Sequence, residues 1–407
     1  MRNGWTETTL GEIGHSGMFS DGDWVESKDQ DPAGEYRLLQ LADIGDGVFL
    51  DKSNRWMNSE QFSRLRCTSL NSRDILIARM PDPIARACIF PSNLPTCATV
   101  VDVAILRCGE GYIPEFVVLV INDSAFRAEA QSLLTGTTRQ RISRSNLAKI
   151  VCKLPSPAEQ RRIVDVVSSV DAYIDALQQQ ADTARTARNA VLHELLTAGG
   201  DDWTETTLGK TLEIARGGSP RPIRDFITTA DDGINWIKIG DATASSKYIY
   251  HTEQKIRPEG ATRSRVVKSG DFILSNSMSF GRPYIMRSDG CIHDGWLLFS
   301  KVDKYFDEDF LYNLLLSDLV QKQFDSLAAG SGVRNLNIEV VKEVIIPLPS
   351  LSTQKRIAQI ANSMDDVIQA TEQAVVDAKN LRSGMLSDLL SGNHEIPASY
   401  DSLLGAA

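Results

Sequence analysis

The heptapeptide WTETTLG runs from Trp5 to Gly11 and again from Trp203 to Gly209, 198 positions later in a chain of 407 residues. A chain that opens the same way twice has to build one unit twice, and that limits its fold more than any composition does. The match continues along the sequence. LLQLADI (38–44) faces WIKIGDA (236–242) at an offset of 198, and RDILIAR (73–79) faces GDFILSN (270–276) at 197. LLTGTTRQRIS (133–143) faces LAAGSGVRNLN (327–337), and KLPSPAEQRRI (153–163) faces PLPSLSTQKRI (347–357), both at 194. The slow drift is what loop insertions produce. The repeat is too long for a solenoid, so the chain reads as a tandem duplication of one large unit.

Each copy divides in two. Its first part carries short β-like runs (YRLLQLADI, DILIARM and VDVAILRC; then INWIKIG, DFILSN and WLLFSKV), punctuated by Gly, Pro, Asn and Asp. A helical stretch follows near 114–134 and again near 306–327, which makes each first part a mixed α+β globule. The second part, from 158 to 198 and from 352 to 391, has no Pro and almost no Gly until its end. Each reads as one long helix that starts after a Pro-containing turn and stops at Gly199 or Gly392. The expected division is a first globule at 1–155, a helix at 156–200, a second globule at 201–349, a helix at 350–392 and a tail at 393–407.

Apolar residues on the first helix fall at Ile163, Val167, Val170, Ile174, Leu177, Ala181, Ala184, Val191 and Leu195, in strict 3–4 alternation through position 188. The second helix repeats the seam at Ile357, Ala361, Met364, Ile368, Thr371, Val375, Ala378, Met385 and Leu389. Amphipathic helices packed on their own globules explain a stripe, but not this alternation over more than four heptads. The pattern predicts a coiled coil between the two helices. The seam is interrupted at Arg188 and Arg382. A parallel pair sets these arginines against each other. An antiparallel pair, whose partners' numbers sum to 552, sets Arg188 beside Asp365 and Arg382 beside Asp171, and puts large residues on small ones. About 37 residues at 1.5 Å each give a rod of roughly 55 Å. Two similar globules on such a rod suit two separated sites on a long, regular ligand such as DNA.

The layout resembles the specificity subunit of type I restriction–modification systems, and the resemblance covers nearly the whole chain. It is carried by the duplicated W-x5-G openings, by DGDWVESKDQ followed by YRLLQLADIGDG, by RGGSPRP with INWIKIGD, and by LPSPAEQRRI and LPSLSTQKRI at the two helix starts. The resemblance implies two target-recognition domains, each reading one half of a split double-stranded DNA site. It implies that the helices pair antiparallel, set the gap between half-sites and dock two modification subunits. Those subunits carry S-adenosylmethionine and methylate adenine, restriction subunits join them, and the specificity chain itself is not catalytic.

Base edges are read by Arg, Lys, Asn and Gln, and phosphates by basic or hydroxyl groups. Three clusters fit. Arg139, Gln140, Arg141 and Arg144 lie among Thr and Ser, with Arg334 in the matching stretch of the second copy. Arg216, Arg221 and Arg224 lie on a Gly/Pro-rich loop. Arg79 and Arg86 flank Pro81-Asp82-Pro83, with Asn276 in the matching place, and Arg263, Arg265 and Lys268 form a weaker fourth group. The plainer alternative for any basic cluster is a solvated face or a protein-docking loop. Trp5 and Leu10 read as core anchors.

Charge argues against a chain that binds DNA alone. The net charge is −10, with 17 basic against 19 acidic residues in 1–155 and 18 against 21 in 201–349. Phosphate neutralisation dominates affinity, so such a chain needs partners to hold a duplex. LGKT at 208–211 lacks the Gly at Thr204 that a phosphate loop requires, and the five histidines show no metal-ligand spacing. No metal site and no cofactor are expected on this chain. Six scattered cysteines, none in C-x-x-C, and no apolar run near ~18 residues point to reduced thiols, no membrane span and a cytoplasmic protein. The start has no basic region followed by an apolar stretch, so no signal peptide is expected. The rival reading is a two-headed structural adaptor that binds proteins through its globules.

Overall fold

The structure is a computed structural model that describes residues 4–242, 246–276, 280–329 and 336–404. It separates into two compact units, Met1–Ala176 with Val375–Ala407, and Leu177–Ala374. Each unit therefore contains one globule and one half of each long helix.

The repeated heptapeptide forms the same element in both units. Thr6–Thr9 pairs antiparallel with Val151–Leu154, and Thr204–Thr207 pairs antiparallel with Ile345–Leu348. A short helix follows each strand, Leu10–Ile13 and Leu208–Thr211. The first has a reciprocal cap: Thr9 Oγ1 accepts from the Glu12 amide at 3.2 Å, and the Glu12 carboxylate accepts from the Thr9 amide at 2.7 Å. The second copy has Lys210 at that position and loses the cap. Trp5 and Leu10 are buried, as core anchors should be.

In unit 1 a four-stranded sheet runs in the order Met18–Asp21, Val103–Arg107, Ile75–Ala78, Ala87–Ile89. A second sheet has the order Trp56–Met57, Tyr36–Leu39, Cys97–Thr99. The apolar run Ile75–Ala78 is buried on both faces. Ile75 and Ile77 face the core shared with Phe116, Val117, Ile163 and Leu389, while Leu76 and Ala78 face a core with Leu39, Cys97 and Ile105. Unit 2 repeats the plan: Phe272 and Leu274 enter one core and Ile273 the other. Its sheets have the orders Glu213–Arg216, Trp296–Ser300, Phe272–Ser275, Pro283–Met286, Tyr248–Ile249, and Ile227–Thr228, Gln254–Ile256, Ile234–Ile237, Gly290–Ile292, Arg265–Val267. The single helix expected beyond each sheet is two helices, Pro114–Ile121 with Ser124–Ser132, and Glu308–Leu316 with Asp318–Ala329. Asp123 makes the first break by capping the second helix, its carboxylate accepting from the Ala125 amide at 2.8 Å.

The long helices run Pro157–Thr197 and Leu351–Leu390. Gly199 and Gly392 follow them at φ +68° and +73°, the left-handed stop that Gly permits. Within each unit the helix halves pack antiparallel. In unit 1, Ile163 and Val167 share a core with Met385 and Leu389; in unit 2, Leu192 and Leu196 share one with Ile357 and Ala361. Ile163, Val167, Ile174, Ala181 and Arg188 are buried, with Val170, Leu177 and Ala184 half-buried between them. The seam differs from expectation at the far end, where Leu192 and Leu196 are buried and Val191 and Leu195 only half so. A straight helix drifts about 20° per heptad, so four heptads turn the buried stripe by nearly one residue. The helix ends are thus built into the globular cores. Among the described residues, no helix is long and apolar enough to cross a membrane. Among them, too, no His/Cys/Asp/Glu group suits a metal ion.

Candidate nucleic-acid interface

In unit 1 most of the candidate arginines converge on two carboxylates that sequence reading did not single out. Asp21, at the end of Met18–Asp21, pairs with Arg79 and lies 3.4 Å from Arg144 Nε. Asp102, just before Val103–Arg107, pairs with Arg141 and lies 3.5 Å from Arg139 Nη2. Arg79 is buried. Its Nε donates to the Ile142 carbonyl at 3.0 Å and its Nη1 to the Val101 carbonyl at 3.1 Å, so it ties the 135–142 loop to the sheet. Burial lowers its pKa, with Asp21 opposing that shift. Arg139, Gln140 and Arg144 stay exposed and Arg141 half-exposed. Three residues beyond Asp21 stands Trp24, 68% exposed. The signal for it was present in DGDWVE, a Trp set among acidic residues with no apolar neighbour on its N-terminal side.

Unit 2 has a matching face. Asp21 pairs in register with Ala104 and Arg216 with Leu297, at equivalent ends of equivalent strands. The Arg79 amide donates to the Asp102 carbonyl at 2.9 Å, and the Asn276 amide to the Gly295 carbonyl at 3.0 Å. Gly22 and Gly217 follow the two strand ends; a Cβ there would meet the Val100 or His293 carbonyl at 2.3 or 2.1 Å, so only Gly fits. Asp294 organises this second face. It accepts from Ser219 Oγ at 2.7 Å, lies 3.4 Å from Arg221 Nη2 and 2.9 Å from His293 Nε2, and its carbonyl accepts from Arg216 Nε at 3.1 Å. Burial alone would raise the Asp294 pKa, but the Ser219 hydrogen bond, nearby His293 and the Arg221 guanidinium outweigh it and hold the carboxyl below its usual range. Arg221 and Arg265 are exposed, and Arg265 Nε donates to the Arg216 carbonyl at 3.3 Å.

Some candidates serve the scaffold. Arg86 Nε donates to the Ile44 carbonyl at 2.7 Å and its Nη2 to the Leu41 carbonyl at 3.0 Å, so its guanidinium is committed to backbone. Asn276 is 1% exposed and donates to the Asp294 carbonyl at 3.0 Å, which removes it, with buried Arg79, from any contact surface. Arg224 is exposed beside Asp225 at 3.7 Å. Arg334 lies outside the described residues.

At the helix junctions, Arg188 Nε and Nη2 each donate to Asp365 at 2.9 Å. Arg382 donates to Asp171 through Nε and, at 2.8 Å, through Nη2. The Asp171 hydrogen bond raises the Arg382 pKa against the opposing effect of burial. Sequence reading missed Asn313, whose amide oxygen accepts a third hydrogen bond from Arg188.

The two units share one α+β plan, and each carries one arginine-bearing face beside a pair of antiparallel helix halves. Residues 200–377 match the family described as Type I restriction modification DNA specificity domain. The chain is 22% identical over 286 residues to the type I restriction enzyme MjaVIII specificity subunit of Methanocaldococcus jannaschii, covering 64% of this chain and 66% of that one. It is 24% identical over 307 residues to the EcoBI specificity subunit of Escherichia coli, covering 66% and 63%. It thus spans just under two thirds of the length of these curated relatives. Among solved structures, a chain from work on complex assembly and conformational transition of the type I R-M system superposes with a TM-score of 0.70 at 18% identity, over 96% of this chain and 98% of that one. The HsdS subunit from Thermoanaerobacter tengcongensis does so at 0.54 and 18%, over 97% and 98%. The second copy, residues 200–377, thus matches a type I restriction–modification DNA specificity domain, and these relatives are specificity subunits.

Proposed function

We propose that the chain is the DNA-recognition subunit of a type I restriction–modification complex, each unit reading one half of a bipartite target. The observation that carries this reading is the pair of topologically equivalent faces, Asp21/Arg79/Arg139/Arg141/Arg144 and Arg216/Arg221/Asp294. On each, carboxylates, with buried Arg79 as a scaffold group in unit 1, orient exposed or half-exposed guanidinium groups (Arg139, Arg141 and Arg144; Arg216 and Arg221) toward solvent, where they suit phosphates and base edges. Helices of 41 and 40 residues, about 60 Å at 1.5 Å per residue, set the half-site spacing. Methyl transfer from S-adenosylmethionine belongs to two modification subunits, and cleavage to restriction subunits, while this chain recognises without catalysing. The net charge of −10 supports a need for those subunits in gripping the duplex.

The test is selection from a randomised duplex library with the chain assembled on its modification subunits. Recovery of two short motifs at a fixed gap is expected. One undivided motif, or no enrichment, overturns the reading.

A further inference from the structure

The two long helices begin alike, Arg161-Arg162-Ile163 and Lys355-Arg356-Ile357, yet among the described residues Arg162 is covered and Arg356 is exposed. In unit 1 the segment 393–404 lies across it. Ile396 is buried in the unit's core. Arg162 Nε and Nη2 donate to the two Asp401 oxygens at 2.7 Å each, and Nη1 donates to the Ile396 carbonyl at 3.3 Å. The Tyr400 hydroxyl donates to Asp165 at 2.7 Å. Arg162 is buried as a result, and Val166 on the next turn packs against the same core.

The equivalent residues of unit 2, 194 positions on, are Arg356, Gln359 and Ile360, and all three are exposed. Ile360 is 42% exposed. Among the described residues no side-chain hydrogen bond or ion pair engages Arg356. The connection that follows the first helix is used differently: Asp202 accepts from the Ser350 amide at 3.3 Å and the Thr353 hydroxyl at 3.0 Å, and the chain passes directly into Thr204–Thr207.

We propose that the Arg356–Gln359–Ile360 face docks a short segment of a partner protein with the chemistry of Ile396–Asp401: an aliphatic side chain and, five residues on, a carboxylate that clamps Arg356. Unit 1 displays the occupant on the equivalent surface. Gln359 keeps the hydrogen-bond acceptor that Asp165 offers to Tyr400, and Ile360 keeps an aliphatic side chain where Val166 stands. The chain's own copy of this segment is already engaged on Arg162. A bidentate arginine–carboxylate pair supplies both direction and affinity. Such docking involves a protein partner and is independent of the DNA reading.

The experiment uses the full chain and a dye-labelled synthetic peptide with the sequence of residues 393–404, followed by fluorescence anisotropy. Saturable binding at one site is expected. Arg356→Glu should weaken it about tenfold or more, and a peptide with Lys in place of the aspartate should recover affinity on that variant. Arg356 is exposed, so an unchanged melting temperature shows that the variant folds. Absence of saturable binding up to millimolar peptide, or equal binding to wild type and Arg356→Glu, overturns the proposal. So does a dimer in light scattering that Arg356→Glu dissociates, because a second copy would then cover the face.

Discussion

The two Arg–Asp junctions occupy the same position of the repeat and have different surroundings. In unit 2 the Arg188 side chain is 10% exposed and is held by both Asp365 and the buried Asn313. In unit 1 the Arg382 side chain is 29% exposed and is held by Asp171. Leu119, 194 positions before Asn313, gives no amide there. Duplication thus kept the charge pair while the globule beside it changed. The same divergence marks the arginine-bearing faces: a buried Arg79 and two carboxylates in unit 1, a single Asp294 with Ser219 and His293 in unit 2.

The largest expected effect treats the units as independent readers. With the proposed DNA reading, replacing residues 1–155 with the corresponding globule of a type I specificity subunit should change one half of the selected motif and leave the other half and the gap intact. Altered readout in both halves would mean that the faces are not separate. The next effect sharpens the junction comparison. Arg188→Ala should cost about 2 kcal/mol, because it strips a donor from buried Asn313 as well as from Asp365. Arg382→Ala should cost about 0.5–1 kcal/mol, as befits a more solvated pair. Denaturant unfolding measures both, and equal losses would show that Asn313 adds nothing. A double-mutant cycle on Arg188→Glu and Asp365→Arg should recover part of the loss.

The junctions were legible in sequence because heptad spacing and charge sign act locally and repeat. Position 188 needed an anion, and antiparallel pairing offered one. Asn313 was not legible because it reaches Arg188 from a globule helix 125 positions away. The arginine-bearing faces divide the same way. Basic residues in Gly-rich stretches marked Arg139, Arg141, Arg144 and Arg221. Nothing local distinguished these from Arg86, whose backbone partners come from the Leu41–Ile44 turn. The fold was legible where both copies agreed. The break at Asp123 was not, because a capping Asp looks like any polar residue until its neighbour's amide is placed.

The faces differ most visibly at Trp24, whose counterpart across the repeat is Ser219. With the proposed DNA reading, Trp24→Ala should weaken binding of the assembled complex about tenfold, since an exposed ring loses stacking or wedge contacts with bases. Ser219→Ala should change affinity less, because Ser219 acts by orienting Asp294. Melting temperature should not move for Trp24→Ala. A normal affinity would leave the arginines as the working part of that face.

The smallest effect separates the covered helix beginning from the bare one. The Arg162 hydrogen bond, aided by its charge, holds the Asp401 pKa below the ordinary 3.8. A depressed carboxylate contributes stability that is complete above its unfolded value and lost as pH falls through the folded one. The Asp165 hydrogen bond raises Tyr400 above the ordinary 10.0. A raised tyrosine contributes below its unfolded value and loses that contribution as pH climbs through the folded one. Docking of the 393–404 segment is therefore bounded on both sides, weakening below 3.8 through Asp401 and above 10.0 through Tyr400. Melting temperatures of wild type and Asp401→Asn should differ at neutral pH and converge below 3.8, while wild type and Tyr400→Phe should converge above 10.0. Arg356→Ala, on the uncovered counterpart, should track wild type at every pH. A gap between wild type and Asp401→Asn that persists unchanged into acid would mean that the Arg162–Asp401 clamp does not hold the segment.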